Sequence, residues 1–392
     1  MSNRNVTTKE YYKFGYNTFG PFLYGFVSWL NAEFNKEQIK KVFFFARDGF
    51  MMKKAFDMLN QNNQLSTRYV YFSRASLRTG LLYKCKNYKE ALRYLTWARY
   101  IPVEEILKYF GFDDEEIEEV ASKYSLKAND DISYDDISSN HQLENIYNDY
   151  KELLDSRSEE IFHNVVLYLK ENQVEGKCAI VDIGWHGNMQ WYLEELLSAC
   201  EIRANIHGYY VGISAIDAIK EKTNGFLYNN INQRFRKSTL CFFGGYEKLF
   251  QSLEGSTKGY KTVENHIEPI LQTYEYELDD RLKSFIKSWQ KGALDFIRGE
   301  NSFEKDLDKC IKIAMDLVKF GKKPDLKRLA LFYFFYNTDG GKTYYLPQKS
   351  VFKYRPKELV HALSNSVWKT GFMKAAFKLP LPYYLVYSLI SK

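Results

Sequence analysis

The stretch Lys177-Cys-Ala-Ile-Val-Asp-Ile-Gly-Trp-His-Gly-Asn188 decides the fold class. Its first half is a near-continuous apolar run, which is typical of a strand buried on both faces of a parallel sheet. Asp182 ends that run, two glycines follow, and a helical pattern covers 189–200. A strand, a tight glycine-containing turn and a helix in this order predict one unit of an α/β fold.

Three further runs, at 41–46, 68–73 and 207–213, have the same apolar and aromatic character. A helical pattern at 50–60 follows the first of them. Strands that alternate with helices are typical of a parallel sheet with helices on its faces. The predicted fold class is therefore α/β.

Long helical patterns interrupt and follow this core. About a hundred residues between the second and third strands have helical periodicity, and a compact domain does not leave such a length as loop. We expect a helical insertion at about 85–175 within an α/β domain that spans 1–270. Residues 271–392 are predicted to form a helical C-terminal region with a basic amphipathic tail.

Composition excludes several classes of protein. Of the 392 residues, 27% are charged and 45% are hydrophobic, which favours a folded globular protein over a disordered one. The net charge is only +6 and no basic stripe or nucleic-acid-binding motif occurs, so no nucleic-acid partner is expected. The five cysteines show no paired spacing and no secretory or membrane-spanning pattern appears, which predicts a cytoplasmic protein.

Polar residues follow the first two strands, at the end of the sheet where α/β proteins bind ligands. Arg47, Asp48 and Gly49 precede a helix, an arrangement that suits a bound anion and its metal ion. Ser73 and Arg74 follow the second strand, and a guanidinium is the preferred bidentate partner of phosphate. The alternatives are an internal ion pair with a turn glycine at the first position and an ordinary surface arginine at the second.

The loop after the third strand has the strongest functional pattern. Gly184 and Gly187 bracket a tight turn that would let backbone N–H groups and a helix N-terminus approach a phosphate. His186 lies between them and could also contact a phosphate. Neither a P-loop nor a dinucleotide-binding fingerprint occurs here. The alternative is a structural turn with a buried capping Asp182.

A fourth candidate lies in a stretch at 242–260 that is expected to be irregular. Aromatic rings stack on sugars and a carboxylate can take a proton from a hydroxyl, so this composition suits a sugar acceptor. The residues singled out are Tyr246, Glu247, Glu254 and Tyr260. The alternative is a connecting loop with ordinary core aromatics.

Five collinear segments resemble a bacterial family. They are GPFLYGFVSWL, FFFARDGFMMKKAF, YVYFSRASLR, VDIGWHGNMQ and YEKLFQSLEGSTKGY, with a weaker match at SVWKTGFMKAAFK. Residues 11–260 are similar to the region that accompanies haloacid-dehalogenase-type domains in proteins of capsule and O-antigen gene clusters. The phosphatase domain that often precedes this region in the family is missing here, so the resemblance implies a separate phosphatase as a partner.

The order of the strand-end features also resembles a type I phosphoribosyltransferase. Arg47-Asp48-Gly49 matches the loop that holds pyrophosphate, and 182–190 matches the loop that holds the ribose 5-phosphate. The usual paired acids and Thr-Gly turn are replaced by Asp-Ile-Gly-Trp-His-Gly-Asn. The resemblance implies a phosphoribosyltransferase-like (Rossmann-like) fold. It also implies a glycosyltransferase that moves ribose 5-phosphate from phosphoribosyl pyrophosphate to a hydroxyl of a lipid-linked glycan.

Residue roles follow from that resemblance. Mg²⁺ would be held by Asp48 and Asp182, and Arg47 and Arg74 would bind the pyrophosphate. Asp182 would also steady the ribose hydroxyls and the oxocarbenium-like state. Glu247 would act as the base, with Asp48 as the reserve candidate. The residues expected to bind the donor are Arg47, Gly49, Ser73, Arg74, Gly184, Trp185, His186, Gly187, Asn188 and Gln190. The residues expected to bind the acceptor are Tyr246, Glu254 and Tyr260.

Other classes of function stay open. A phosphatase or a nucleotide-sugar glycosyltransferase could use the same α/β scaffold. A non-catalytic protein of a polysaccharide-assembly complex could retain the same loops without turnover. The released product separates these classes, because only the phosphoribosyl transfer yields pyrophosphate.

The C-terminal tail has a pattern of its own. Residues 369–392 contain four lysines and no acid, set among large apolar side chains. Such a segment can rest on anionic lipid, so we expect peripheral attachment to the inner face of the membrane. The alternative is a terminal helix docked on the core with its lysines in solvent.

Overall fold

The computed structural model describes residues 6–60, 65–96, 98, 100–339, 342–346 and 356–391. The strands are β1 (Lys41–Phe45), β2 (Ser66–Val70), β3 (Tyr100–Pro102), β4 (Asp131–Ser133), β5 (Gly176–Trp185), β6 (Ala204–Ile213), β7 (Thr223–Gly225), β8 (Thr257–Val263), β9 (His266–Leu271), β10 (Tyr336–Asp339) and β11 (Lys342–Tyr345). The α-helices are α1 (Thr8–Phe14), α2 (Gly20–Lys36), α3 (Gly49–Leu59), α4 (Arg74–Arg78), α5 (Tyr88–Ala91), α6 (Val103–Phe110), α7 (Asp114–Lys123), α8 (Tyr134–Ile137), α9 (His141–Asp149), α10 (Lys151–Glu171), α11 (Asn188–Ala199), α12 (Arg236–Leu240), α13 (Phe243–Phe250), α14 (Asp280–Gly299), α15 (Leu307–Lys322), α16 (Leu326–Phe332), α17 (Pro356–Asn365), α18 (Lys369–Phe377) and α19 (Tyr383–Ile390). A π-helical stretch at Gly15–Phe19 joins α1 to α2, and short 3₁₀ helices lie at Thr79–Lys84, Leu92–Tyr94 and Lys220–Lys222.

Five parallel strands form the central sheet in the order β2-β1-β5-β6-β7. The chain passes from β1 to β2 at one edge and returns to β5, β6 and β7 on the other side of β1. The strand order therefore reverses between β1 and β5. Such a reversal opens a crevice at the carboxyl ends of the two strands, where α/β proteins bind ligands. This topology confirms the predicted Rossmann-like α/β fold.

Hydrophobic side chains on the two faces of the sheet belong to two separate cores. On one face, Phe44 and Val181 pack in a core with α2, α3 and the helices after residue 280. On the other face, Phe43 and Ile180 pack in a core with α11 and the helices of the insertion. Because β1 and β5 are buried on both faces, their sequences are continuous apolar runs rather than alternating ones.

The predicted helical insertion at about 85–175 comprises α5 to α10, and its buried hydrophobic residues belong to the second core. It also contains a short antiparallel pair, β3 with β4, which the helical periodicity did not predict. Two further antiparallel pairs, β8 with β9 and β10 with β11, lie outside the central sheet and were not predicted either.

The helices after residue 280 pack directly on the N-terminal helices. Glycine makes this close approach possible: a Cβ on Gly15 would lie 2.0 Å from the carbonyl oxygen of Trp289. A Cβ on Gly25 would lie 2.5 Å from the carbonyl oxygen of Cys310. The domain boundary at residue 270 stays a prediction, and one hydrophobic core extends across it.

Candidate functional site

Asp48 and Asp182 lie near the carboxyl ends of β1 and β5, on the two sides of the strand-order reversal. Asp48 immediately precedes α3, where a Cβ on Gly49 would lie 2.9 Å from the backbone of Phe44. Gly49 therefore allows α3 to approach β1 closely. The prediction that Asp182 ends its strand was wrong, because β6 pairs with β5 as far as Trp185.

The two aspartates and Glu247 form a cluster of mutually repelling carboxylates. Burial, and then repulsion from Asp182 and Glu247, raises the pKa of Asp48 well above its ordinary value. Burial also raises the pKa of Asp182 to about 7, although the backbone N–H groups of Ile183 and Gly184 oppose that shift. Oδ1 of Asp48 is buried and has no hydrogen-bond partner among the described residues. Such a cluster favours the binding of a proton or a cation.

Glu247 is held by side chains from two distant parts of the chain. Its Oε1 accepts a hydrogen bond from Nε1 of Trp185 at 2.9 Å, and its Oε2 accepts one from Nδ2 of Asn337 at 2.9 Å. The amide Oδ1 of Asn337 is buried without a hydrogen-bond partner in the described ranges. The carboxylate of Glu247 is thus oriented at the end of β5. Asn337 was not predicted, because 90 residues separate it from Glu247.

Arg47 belongs to a buried ion-pair triad. Its Nη1 lies 2.6 Å from Oε2 of Glu275, and Nζ of Lys248 lies 2.6 Å from Oε1 of the same carboxylate. Burial alone would raise the pKa of Glu275, but the two cations outweigh burial and lower it to about 2. The internal ion pair left open as an alternative for Arg47 is therefore present. Its contact with a leaving group stays a prediction, and neither Lys248 nor Glu275 was foreseen.

Ser73 and Arg74 begin α4 at the end of the sheet. The Ser73 hydroxyl accepts the backbone N–H of Ser76 and donates to the carbonyl oxygen of Thr257 at 2.6 Å, so the fold itself uses this side chain. Arg74 is half-buried, and its charge lowers the pKa of Asp182 against the larger effect of burial. Arg74 is thus within electrostatic reach of Asp182, and its contact with a phosphate stays a prediction.

The segment 183–188 covers the end of β5, residues 186–187 and the first residue of α11, and it has the tight turn that its glycines predict. Gly184 and Gly187 have φ values of +108° and +75°. A Cβ on Gly184 would lie 2.3 Å from the carbonyl oxygen of Gly212, so the neighbouring strand also requires this glycine. α11 begins at Asn188, and no described side chain caps its N-terminus. With His186 exposed beside it, this helix end is suited to an anion.

Three residues expected to bind ligands are instead part of the interior: Gln190, Tyr246 and Tyr260. The Gln190 amide hydrogen-bonds to Tyr210 and Glu194 and holds α11 against β6. The stretch at 242–260 is not irregular but contains α13 and the start of β8, which turn Tyr246 and Tyr260 into the two cores. The two buried rings present no face to a sugar, and the buried Gln190 amide is already bonded within the fold, so these three expectations need correction.

Glu254 lies beside the carboxyl ends of β1 and β2. Its carboxylate accepts hydrogen bonds from the hydroxyl groups of Tyr69 at 2.8 Å and Tyr71 at 3.3 Å. Its backbone carbonyl accepts a hydrogen bond from Arg47 at 3.1 Å. This edge of the crevice therefore carries a carboxylate between two tyrosines, and the contact of Glu254 with an acceptor stays a prediction.

Trp185 and Phe243 form a partly exposed aromatic pair next to Glu247. Their ring centroids are 6.5 Å apart with an interplanar angle of 78°. Nζ of Lys369 lies 5.9 Å from the centroid of Phe243, and burial lowers the pKa of this lysine to about 8. Unlike Tyr246 and Tyr260, these two rings keep solvent contact beside a carboxylate. Phe243 lies in the 242–260 stretch singled out in the sequence, but nothing there distinguishes it from the buried aromatics.

The carboxylates offer a limited set of metal ligands. Across the described ranges, no group of three or more His, Cys, Asp or Glu side chains is arranged to hold a metal ion. Mg²⁺ commonly takes only one or two protein carboxylates and completes its shell with phosphate oxygens and waters. Asp48, with its unpartnered buried Oδ1, and Asp182 therefore fit a magnesium ion that arrives with a phosphorylated ligand.

Comparison with known proteins adds no assignment. No protein-family model matches the chain, and no curated protein matches it significantly.

Proposed function

We propose that the chain is a glycosyltransferase that moves ribose 5-phosphate from phosphoribosyl pyrophosphate to a hydroxyl of a glycan. The observation that carries the proposal is the pair of half-buried aspartates, Asp48 and Asp182, on the two sides of the strand-order reversal. A carboxylate pair beside an uncapped helix N-terminus suits a phosphorylated donor with its metal ion. The resemblance of the strand-end segments to phosphoribosyltransferases supports the same donor.

The donor would lie across the crevice between β1 and β5. The segment 183–189, which includes the N-terminus of α11, would hold the 5-phosphate, and Arg74 would contact the pyrophosphate. Asp48 and Asp182 would hold Mg²⁺, which when bound neutralises charge on the departing pyrophosphate. The Arg47–Glu275–Lys248 triad would add net positive charge next to these carboxylates.

Transfer exchanges one bond to the anomeric carbon for another. The bond from C1 to the pyrophosphate oxygen breaks, and a bond from C1 to the acceptor oxygen forms. The proton of the acceptor hydroxyl passes to the carboxylate of Glu247. Trp185 and Asn337 orient that carboxylate, which would act as the general base toward the acceptor hydroxyl.

The acceptor side would be the aromatic pair, Trp185 and Phe243, together with Glu254. A partly exposed ring can stack on a sugar, and Trp185 adjoins the proposed base directly. The acceptor would be a lipid-linked glycan of capsule or O-antigen synthesis, and a separate phosphatase would remove the 5-phosphate from the product. The reaction would take place in the cytoplasm, with the protein peripheral at the inner face of the membrane.

Donor binding tests this proposal before any acceptor is known. Titration calorimetry with phosphoribosyl pyrophosphate and Mg²⁺ should show saturable binding to the full chain. Asp182→Asn should weaken that binding at least tenfold, since a metal-bridged donor loses one carboxylate. Asp217→Asn is the matched control, because this aspartate side chain is 97% exposed in the loop after β6. Absence of binding to the wild-type protein would refute the assignment of the donor.

A further inference from the structure

The last helix exposes its apolar face. Tyr383 and Tyr387 of α19 point into the protein and are buried, whereas Leu385, Val386 and Leu389 are 41–78% exposed. A surface helix of a soluble protein normally turns polar side chains to the solvent. α19 has no charged residue on either face, so no charged side chain separates its exposed apolar residues from the solvent.

The segment before α19 extends this surface. Phe377 at the end of α18, and Leu379 and Leu381 on the loop between α18 and α19, are each about half exposed. Residues 377–390 contain seven of the seventeen large hydrophobic side chains that are exposed in the described ranges. Exposed apolar residues that occur singly are ordinary, but a contiguous group of this kind marks an interaction surface. We refer to this surface, on 377–390, as the tail face.

Specific contacts hold the tail face in this orientation. Nζ of Lys237 donates to the carbonyl oxygens of Ser388 at 2.9 Å and Ser391 at 2.6 Å, at the C-terminal end of α19. The Tyr383 hydroxyl donates to the carbonyl oxygen of Leu379 at 2.7 Å, which ties the helix to the preceding loop. The exposed apolar side chains therefore lie on a helix that is hydrogen-bonded to the rest of the protein.

Charge identifies the partner of the tail face. The chain from 367 to 391 contains no acidic residue, and Lys378 is exposed next to Phe377. Lys374 is half-buried and its Nζ donates to the carbonyl oxygen of Leu379 at 3.0 Å. Lys369 lies beside Phe243 and away from Lys378. A second copy of the chain would bring like charges together across a symmetric contact, which opposes dimerisation. An anionic bilayer offers an apolar interior to the exposed apolar side chains and a negatively charged surface to the lysine beside them.

We infer that the tail face is a membrane-binding surface whose apolar side chains enter the interfacial layer of an anionic bilayer while Lys378 contacts the headgroups. No helix among the described residues is long and apolar enough to cross a membrane. In this inference, the tail face adsorbs to the surface of the bilayer. The inference specifies the surface for the peripheral location proposed above, but it does not depend on the donor.

Vesicle flotation of the full chain tests the inference. The wild-type protein should float with vesicles of equimolar phosphatidylcholine and phosphatidylglycerol, and much less with phosphatidylcholine alone. The triple variant Leu385→Ser, Leu389→Ser, Ile390→Ser should bind the anionic vesicles at least roughly tenfold more weakly. Leu278→Ser with Leu326→Ser is the control, because these exposed leucines lie elsewhere on the surface. Circular dichroism before and after heating verifies that each variant folds.

A charge variant covers the case in which the triple variant does not fold. Lys378→Gln should weaken binding to the anionic vesicles roughly fivefold, and added salt should reduce the difference. Lys258→Gln, on β8, is its control and should bind as the wild type does. Equal flotation of wild type and Lys378→Gln, or loss of a wild-type dimer in the triple variant by analytical ultracentrifugation, would overturn the inference. Donor binding by calorimetry is measured separately, so failure of either proposal can be distinguished from failure of the other.

Discussion

The indole of Trp185 donates a hydrogen bond to the carboxylate of Glu247 at 2.9 Å. This bond connects the last residue of β5 to α13, across 62 residues of sequence. It fixes the carboxylate beside the aspartates of the crevice, whose pKa values respond to its charge. The acceptor side and the donor side of the proposed reaction are thereby joined through one side-chain contact.

Removal of that contact should affect turnover more than binding. Trp185→Phe keeps an aromatic ring but deletes the donor to Glu247, and a hydrogen bond to a charged group contributes roughly 1.5–3 kcal/mol. We expect kcat for ribosyl transfer to fall about 10- to 100-fold, with the Kd for the donor changed less than about threefold. Trp191→Phe, on α11, is the control. An unchanged kcat in Trp185→Phe would exclude this role for the indole.

The carboxylate cluster should make the folding stability depend on pH. The pKa of Asp182 is raised from 3.8 to about 7 in the folded protein, so the folded state holds a proton that the unfolded state releases between these values. The free energy of unfolding should therefore decrease as the pH rises through this window and level off above it. Asp48 acts in the same direction.

Urea unfolding of the donor-free protein measures this effect. Between about pH 5 and about pH 8, the wild type should lose more stability than Asp182→Asn, which cannot ionise at this position. Asp217→Asn, with its exposed side chain, should follow the wild type. Identical pH dependence in wild type and Asp182→Asn would show that Asp182 ionises without penalty.

The triad around Glu275 should be sensitive to loss of its carboxylate. Glu275→Gln would leave Arg47 and Lys248 buried without their shared anion, and removal of one partner from a buried pair costs about 3–5 kcal/mol. Glu277→Gln, at a neighbouring exposed position, should change stability by less than about 0.5 kcal/mol.

A double variant separates charge from packing in this triad. Lys248→Met combined with Glu275→Gln removes one of the two unpaired cations and should recover part of the lost stability. Chemical denaturation gives the comparison. A cost below about 1 kcal/mol for Glu275→Gln alone would show that water reaches the two cations.

Gly187 should be required for the local backbone before any ligand is considered. Its φ is +75°, and a Cβ would lie 2.6 Å from Cδ1 of Ile219. Gly187→Ala should destabilise the protein by about 1–2 kcal/mol, because an alanine is strained in this left-handed backbone conformation. Adding Ile219→Ala should relieve only the clash between the new Cβ and Ile219, and not the backbone strain. Thermal unfolding of the single and double variants measures both contributions. No loss of stability in Gly187→Ala would mean that the loop can adopt another conformation.

The sequence was most informative where local pattern and burial coincide. β1, β5 and β6 were predicted to within a few residues, because strands covered on both faces are continuous apolar runs. The helices α3 and α11 were predicted because they follow those runs at once. Asp48 and Asp182 lie near the carboxyl ends of β1 and β5, as the predicted parallel topology requires, although β5 continues beyond Asp182 as far as Trp185. Their roles in binding and catalysis stay predictions.

Contacts between distant segments could not be predicted in this way. Glu275 pairs with Arg47 across 228 residues, and Asn337 bonds Glu247 across 90, so no local spacing reports either contact. Tyr246 and Phe243 lie three residues apart in α13, yet only Phe243 keeps solvent contact. Which aromatic faces the crevice depends on the direction in which the helix packs, and composition alone carries no information on that.

Release of pyrophosphate tests the central claim most directly. The full chain is incubated with phosphoribosyl pyrophosphate, Mg²⁺ and a membrane extract that supplies lipid-linked glycans, and pyrophosphate, orthophosphate and nucleotide are quantified separately. We expect pyrophosphate release that requires both Mg²⁺ and the extract, with Glu247→Gln reducing the rate ~10²–10⁴-fold while donor binding is retained. Release of orthophosphate or nucleotide, or a Glu247→Gln rate equal to that of the wild type, would contradict the account.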